Sequence, residues 1–218
     1  MYKHNLCCLF KYGDILKILI ACEFSGTVRE AFAKRGHDVC SCDIEPTDIP
    51  GQHYQGDVMD IINNGWDMLI AFPPCTHLAV SGAKHFEQKR KDGRQQQGID
   101  FFMQMINAPI SMISVENPIG IMSSIYQKPT QIIQPWQFGH EAQKTTCLWL
   151  KNLPPLQHTN IVGKGDFYIT PTGKKMPAWM SDPVGSDGKK LAYGSVEIKK
   201  IRNKTFQGIA DAMAKQWG

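Results

Sequence analysis

A cysteine and a glutamate, each placed after an apolar run, carry the chemistry that this sequence suggests. Cys75 follows the apolar residues 67–72, and Glu116 follows a second apolar run over residues 110–115. A thiolate can add to an electron-poor ring carbon while a carboxylic acid supplies a proton to a ring nitrogen. The pair therefore predicts covalent attack on a pyrimidine ring, on the condition that the two strand ends lie side by side.

The residues next to this pair support a functional interpretation. Pro73 and Pro74 restrict the backbone before Cys75 and so fix the direction of the thiol. Asn117 is expected to hold the loop and to offer a hydrogen bond. A single cysteine is usually a small buried hydrophobe. That explanation gives no reason for a Glu-Asn pair at the end of the next strand.

Strand and helix patterns alternate along the first half of the chain. The sequence predicts strands over residues 16–21, 38–42, 53–55, 67–72 and 110–115, and helical spacing predicts helices over 28–34, 58–63, 95–106 and 205–217. This alternation predicts an α/β fold with a mostly parallel sheet flanked by helices. Residues 131–136 and 146–150 predict two further strands, with antiparallel pairing.

The length of 218 residues suits one domain with small additions. We expect an N-terminal extension over 1–15, a catalytic domain over 16–152, a loop-rich segment over 153–203 and a C-terminal helix over 204–218. No apolar run approaches the roughly 18–20 residues that cross a bilayer. The seven cysteines are odd in number and irregularly spaced, which favours a reducing compartment such as the cytoplasm. No second ligand pair accompanies the Cys40–Cys42 spacing, so no metal site is expected.

The net charge of +4 is too small to identify a nucleic-acid binder by itself. The positive charge is concentrated in two stretches that flank the proposed chemistry, although either could be a solvated face. We expect these stretches to contact phosphates through basic side chains, namely Lys84, Lys89, Arg90, Lys91, Arg94, Lys199, Lys200 and Arg202.

The turn after the first strand has the character of a cofactor loop. Residues 23–26 (Glu-Phe-Ser-Gly) contain one glycine, unlike the glycine-rich loops that hold a pyrophosphate. Asp43, at the end of the second strand, is placed to accept hydrogen bonds from a ribose diol. Asp57, at the end of the third strand, is placed to accept a hydrogen bond from an adenine amino group. These placements fit S-adenosylmethionine. The alternative is that each acid only caps a turn.

With these residues in view, the chain resembles the DNA cytosine-C5 methyltransferases, in particular the short members from bacteriophages and prophages. Pro74-Cys75 matches the nucleophile motif of that family and Glu116-Asn117 its Glu-Asn motif. Residues 207–212 resemble the last family motif, which completes the cofactor pocket. The resemblance implies a Rossmann-like methyltransferase fold and cofactor contacts from Glu23, Phe24, Ser25, Gly26, Asp43, Ile44, Asp57, Val58, Pro73 and Ala210.

The chain also departs from the family pattern. Thr76-His77 follows the nucleophile where the family has Gln, and Lys144 stands where the family uses arginines to help bind the base. Lys144 supplies a positive charge without the planar fork of arginine. The target-recognition region is confined to residues 153–203. Recognition is then either short and degenerate, or supplied by a second subunit or a separate partner.

The resemblance implies methyl transfer from S-adenosylmethionine to cytosine C5 in DNA, in the cytoplasm of a bacterial host. Cys75, Glu116, Asn117 and Lys144 are the expected catalytic residues. Two alternatives keep the fold but change the acceptor, to an exocyclic amine or to a free nucleotide. A third is a non-catalytic DNA- or protein-binding module that retains the methyltransferase fold.

Overall fold

A computed structural model describes residues 14–178 and 195–218 of the chain. Most of the predicted N-terminal extension and part of the loop-rich segment lie outside these residues. The strands are β1 Lys17–Ala21, β2 Asp38–Asp43, β3 His53–Gln55, β4 Met68–Ala71, β5 Met112–Pro118, β6 Gln131–Ile133, β7 Thr146–Lys151, β8 Phe167–Ile169 and β9 Lys175–Pro177. The helices are α1 Thr27–Ala33, α2 Phe86–Lys91, α3 Arg94–Ile106, α4 Met122–Ile125, α5 Val196–Asn203 and α6 Gln207–Trp217.

In the described part of the chain, seven strands form one sheet in the order β3-β2-β1-β4-β5-β7-β6. The first five strands along the chain pair in parallel, whereas β7 is antiparallel to both β5 and β6. Helices flank this sheet. The predicted α/β class, the mostly parallel sheet and the antiparallel pairing after residue 130 are all confirmed.

The strand order reverses at β1, since β2 lies on one side of it and β4 on the other. In open α/β sheets, ligands bind outside the carboxyl ends of the strands at this switch point. The carboxyl ends of β1, β2, β3 and β4 share one edge of the sheet because these strands are parallel. The predicted cofactor and nucleophile loops therefore open onto the same edge.

Two apolar layers cover the faces of the sheet. On one face, side chains of α1 and α6 pack against alternate residues of β1 and β4, including Ile18 and Ile70. On the other face, α3 packs through Phe102 and Met105 against residues such as Trp149. Within residues 14–178 and 195–218, no helix has the length and apolar content needed to cross a membrane.

The fifth strand differs from its prediction. It continues to Pro118, so Glu116 lies within the strand rather than just after it. The reason is the pairing with β7, in which Glu116 lies opposite Leu148 and Pro118 lies opposite Thr146. A short apolar run does not reveal this extension because the ladder depends on a partner some 30 residues away.

Three segments that were expected to be irregular or merely charged contain regular elements. The basic stretch after Cys75 contains a short 3-10 helix and α2. The loop-rich segment contains a two-stranded hairpin of β8 and β9. The second basic stretch includes α5, which begins with a hydrogen bond from Ile198 N to the Ser195 side chain.

A buried arginine organises the loop between β2 and β3. Arg29 of α1 is only 1% exposed. Its guanidinium donates to the Ser41 hydroxyl at 3.0 Å and to the Ile49 carbonyl at 2.6 Å, with a further contact to the Thr47 hydroxyl at 3.2 Å. A guanidinium can make such a set of bonds because its five N–H groups spread in one plane. Arg29 thus fixes the loop beside the carboxyl ends of β1 and β2.

Replacing Arg29 with methionine should destabilise the fold. The substitution keeps a long side chain but removes the donors to Ser41 and Ile49, which leaves buried acceptors unsatisfied. We expect a loss of about 2–4 kcal/mol in the free energy of unfolding, measured by urea denaturation. Arg35→Met, at an exposed position in the next turn, is the matched control. Equal stabilities of the two variants would contradict the role given to Arg29.

Candidate active site

The loop carrying Cys75 is fixed at both ends. Before Cys75, the Asn117 side-chain amide donates to the Pro73 carbonyl at 2.8 Å. After it, the Cys75 carbonyl accepts from the amides of Leu78 and Ala79 at 3.0 and 2.9 Å. Asn117 is 1% exposed, so its bond to Pro73 is shielded from water. The end of β5 therefore positions the cysteine loop.

Glu116 lies on the opposite face of β5 from Asn117, as alternation along a strand requires. It lines a small cavity of about 20 Å³ together with Phe72, Lys144, Thr146 and residues of the α5–α6 junction such as Phe206. Cys75 and Asn117 are not among the residues that line it. The cavity has room for about one water molecule, so a pyrimidine ring does not fit in this arrangement.

Cys75 and Glu116 are nevertheless electrostatic neighbours. Burial raises the pKa of the Cys75 thiol above its ordinary value, and the negative charge of Glu116 raises it further. The positive charges of Lys144 and Lys89 act in the opposite direction on the same pKa. Cys75 therefore rests as a neutral thiol, and its ionisation depends on the charge state of Glu116.

Glu116 is itself shifted towards its neutral form. Burial raises the pKa of the Glu116 carboxyl, while the Lys144 charge and the Thr146 hydroxyl lower it. A raised carboxyl pKa retains the proton that a general acid needs. Lys144 also donates from Nζ to the Arg202 carbonyl, near the end of α5, at 2.8 Å. Its ammonium is thus shared between the neighbourhood of Glu116 and the carboxyl end of a helix.

The turn after β1 is built as a tight unit around Glu23. The Glu23 carboxylate accepts from the amide of Val28 at 2.7 Å and from the Ser25 hydroxyl at 3.0 Å. It therefore caps the first turn of α1 instead of pointing towards the open edge. Gly26 has φ = 72°, and a Cβ there would lie 2.8 Å from the Arg29 guanidinium, so a side chain at this position is excluded. Phe24 is buried, and its carbonyl accepts from the Asp48 amide at 2.8 Å.

The two acids predicted to bind the cofactor each use one oxygen in a local turn. Asp43 accepts from the Glu45 amide at 3.0 Å through Oδ1, and Asp57 accepts from the Met59 amide at 2.9 Å. The Asp43 carboxyl also interacts with the Ile44 amide, whereas no second hydrogen-bond partner of the Asp57 carboxyl is found within residues 14–178 and 195–218. Burial raises the pKa of Asp43. Turn capping thus accounts for the local hydrogen bonds of both acids, and a carboxylate oxygen can accept a further hydrogen bond from a ligand.

The remaining predicted cofactor residues fall into two groups. Ile44 follows Asp43 and is 76% exposed, an unusual position for a large apolar side chain. Val58 and Ala210 lie in the hydrophobic core, and Pro73 is buried. The buried residues of this set therefore contribute to the core, whereas Ile44 offers an exposed apolar surface.

The residues predicted to bind DNA are not equivalent. Arg90 and Lys84 are exposed, Lys91 forms an ion pair with Glu87, and Arg94 forms one with Asp92. Lys200 lies over the Phe24 ring at 5.9 Å, Arg202 is exposed, and the Lys199 side chain lies outside what the structure describes. Lys89 is different because it is only 8% exposed, with Nζ donating to the Thr76 carbonyl at 2.6 Å. Its side chain cannot meet a phosphate in this position.

Sequence reasoning missed Arg29 and the contact between Lys204 and Asp48, whose charged groups are 2.7 Å apart. Both connect the β2–β3 loop to other elements. A signal for Arg29 exists in the sequence, since its position three residues before Phe32 places it beside the apolar face of the helix. The partner of Lys204 depends on the return of the C-terminal segment, which no local pattern reports.

The chain matches no protein-family model and no curated protein. Among solved structures it is similar to an E. coli protein encoded within a prophage and assigned as a DNA modification methyltransferase, with a TM-score of 0.43 and 17% identity. The similarity covers 71% of this chain and 58% of that one.

The electrostatic link between Cys75 and Glu116 predicts how the thiol reacts with pH. Glu116→Gln removes the negative charge that raises the pKa of Cys75. The thiolate then forms more readily, so the pH midpoint for alkylation of Cys75 by iodoacetamide should move to lower pH. Peptide mass spectrometry follows Cys75 separately from the other cysteines. Glu141→Gln, at an exposed position, is the control; a Glu116→Gln midpoint that does not fall would contradict the link.

Proposed function

We propose that the protein is an S-adenosylmethionine-dependent DNA methyltransferase that methylates cytosine at C5, acting on DNA in a bacterial cytoplasm. The observation that carries the proposal is the shared electrostatic environment of a partly buried thiol, Cys75, and a carboxyl group kept towards its neutral form, Glu116. Asn117 connects the two strand ends through Pro73. This combination provides a nucleophile and an acid on neighbouring strands.

The residues at the carboxyl edge suit the proposed cofactor. The carboxylates of Asp43 and Asp57 can accept hydrogen bonds from a ribose diol and an adenine amino group. The exposed Ile44 beside Asp43 offers an apolar surface for a flat ring. The single glycine of the β1–α1 turn does not form a phosphate cradle, in keeping with a cofactor that lacks a pyrophosphate. When bound, S-adenosylmethionine supplies an electrophilic methyl group.

The roles of the protein groups follow from their chemistry. The cytosine leaves the helix stack to reach Cys75, at a cost of a few kcal/mol. The Cys75 sulfur forms a bond to C6, and Glu116 holds a proton at N3, so that the ring electrons reach C5. After C5 is methylated, it loses its hydrogen as a proton, the C5–C6 double bond forms again and the Cys75 sulfur leaves. Asn117 keeps the sulfur in place throughout.

One observation favours the non-catalytic alternative. The cavity beside Glu116 is too small for a base, and Lys144 is bonded to the end of α5. A module that only binds DNA or protein needs no larger cavity. The two readings differ in whether the α5–α6 junction withdraws to admit a base, which a covalent trap can decide.

Cys75→Ser should abolish methyl transfer while leaving cofactor binding within about twofold, because the serine hydroxyl is a far weaker nucleophile than a thiolate. Incorporation of labelled methyl groups into mixed-sequence DNA measures the activity, and calorimetry measures S-adenosylmethionine binding. Cys40→Ser, on β2, is the matched control and should keep the activity. Loss of cofactor binding in Cys75→Ser would mean that the cysteine is structural.

The trap for the same reaction is DNA containing 5-fluorocytosine. The hydrogen at C5 leaves as a proton, but fluorine cannot leave as a cation. An enzyme that adds to C6 therefore remains covalently attached to this DNA. An exocyclic-amine methyltransferase would incorporate label without an adduct. A non-catalytic module would show neither, and an enzyme for free nucleotides would bind its substrate with little dependence on salt.

We further propose that the β8–β9 hairpin is the DNA-recognition element of residues 153–203. Phe167 and Tyr168 are exposed, and the Lys175 ammonium lies 4.7 Å from the centre of the Phe167 ring. Lys174 adds a second exposed positive charge beside it. Exposed rings next to lysines are the combination that binds unpaired bases and the phosphates between them. A hairpin of two three-residue strands can contact only a few bases, so the recognised DNA sequence would be short and degenerate.

The hairpin proposal predicts two separable effects on DNA binding. Tyr168→Ala should weaken binding to single-stranded DNA by roughly 5- to 100-fold through lost stacking. Lys174→Ala with Lys175→Ala should reduce the slope of log affinity against log salt by about one to two. Fluorescence anisotropy at several salt concentrations measures both. Lys215→Ala, on the exposed side of α6, should change neither the affinity nor its salt dependence. If Tyr168→Ala binds single-stranded DNA as tightly as the unmodified protein, the hairpin is not the recognition element.

A further inference from the structure

Lys89 is buried although it belongs to a basic and otherwise exposed helix. Its neighbour Lys91 has a side chain that is 76% exposed, whereas Lys89 is 8% exposed. Burying an ammonium is costly unless it finds a partner. A lysine that only covers α2 would extend into water along its flexible stem. The position of Lys89 therefore requires a reason within the fold.

The partner of Lys89 is the backbone directly after the nucleophile. Lys89 Nζ donates to the Thr76 carbonyl at 2.6 Å. The space around Nζ is preserved by Gly82, where an added Cβ would come within 3.3 Å of the ammonium. Within the described residues, no carboxylate pairs with Lys89. A carbonyl satisfies one N–H but does not neutralise the charge, so the positive field extends to the adjacent residues.

Cys75 is the reactive group in this field. The charged groups that act on it come from three elements, namely Glu116 of β5, Lys144 before β7 and Lys89 of α2. Glu116 opposes the thiolate, and both lysines favour it by lowering the pKa of Cys75. Lys144 shares its ammonium with the Arg202 carbonyl. Lys89 is the cation attached to the same loop as the thiol.

We propose that Lys89 is a positioning residue for the nucleophile, which holds the loop at Thr76 and offsets the charge of Glu116 so that Cys75 can ionise. The inference rests on the proposed function in taking Cys75 as the nucleophile. It assigns to Lys89 a role inside the loop in place of a phosphate contact. Burial and the bond to Thr76 distinguish it from the exposed lysines on the same helix.

Two substitutions separate the charge from the hydrogen bond. Lys89→Gln keeps a donor for the Thr76 carbonyl but removes the charge, and Lys89→Arg keeps the charge. The readout is the pH dependence of Cys75 alkylation by iodoacetamide, followed by peptide mass spectrometry. Lys91→Gln, on the same helix but exposed and paired with Glu87, is the matched control.

Lys89→Gln should move the alkylation midpoint upwards by roughly 0.2 to 0.5 pH unit, equal to about 1.5- to 3-fold slower reaction at a fixed pH below the midpoint. The alkylation midpoints of Lys89→Arg and Lys91→Gln should stay near that of the unmodified protein. A Lys89→Gln midpoint within error of the Lys91→Gln midpoint would overturn the proposal. Thermal unfolding of each variant identifies any that fail to fold, and Lys89→Arg then supplies the comparison.

Alkylation and methylation together separate this inference from the proposed function. If the protein methylates DNA, the rate for Lys89→Gln should fall near neutral pH and recover as the pH rises. If no variant methylates DNA while the alkylation midpoint of Lys89→Gln still moves upwards, the proposed function fails and the electrostatic role of Lys89 stands.

Discussion

One buried hydrogen bond, from the Asn117 amide to the Pro73 carbonyl, joins the ends of two neighbouring strands. The two residues are 44 positions apart in sequence, and the bond is shielded from water. An unsatisfied buried carbonyl or amide is expensive, so the bond fixes the spacing between the loop of Cys75 and the end of β5. Glu116 is the adjacent residue on that strand. Every chemical relation between the thiol and the carboxyl depends on this spacing, because neither side chain contacts the other through a bond of its own.

The other side of the site is closed by the C-terminal segment through contacts that are individually weak. Lys204 pairs with Asp48 at a partly exposed position, and Lys200 lies over the Phe24 ring. Exposed ion pairs of this kind are worth about 0–1 kcal/mol. By contrast, α6 is anchored in the core through Ile209 and Met213. The helix α6 is therefore fixed, and Phe206 of the junction before it packs against the same core and lies 5.1 Å from the His140 ring, measured between ring centres. Admission of a base beside Glu116 would require Phe206 to leave these contacts.

The parts of this structure that sequence could predict are those with a local cause. Buried parallel strands appear as apolar runs because both of their faces are covered, and β1 and β4 fall close to the expected positions. The end of β5 could not be placed, since its last residues pair with β7. Lys89 was grouped with its basic neighbours because a run of charges does not reveal which side chain turns inward. Asn117 was expected to hold the loop, and the structure supplies its partner, Pro73.

The charges around Cys75 connect these observations to chemistry. Two groups that repel each other when ionised cannot be treated as titrating independently, and both Cys75 and Glu116 have raised pKa values from burial. A proton on Glu116 removes the charge that opposes the thiolate. The state with a neutral carboxyl and an ionised sulfur is the one that the proposed reaction requires, with an acid for a ring nitrogen and a nucleophile for a ring carbon. Lys89 and Lys144 favour ionisation of the sulfur, yet Lys144 also favours the ionised carboxylate. The position of Lys89 beside Thr76 places a positive charge on the side of the sulfur, where it favours the thiolate.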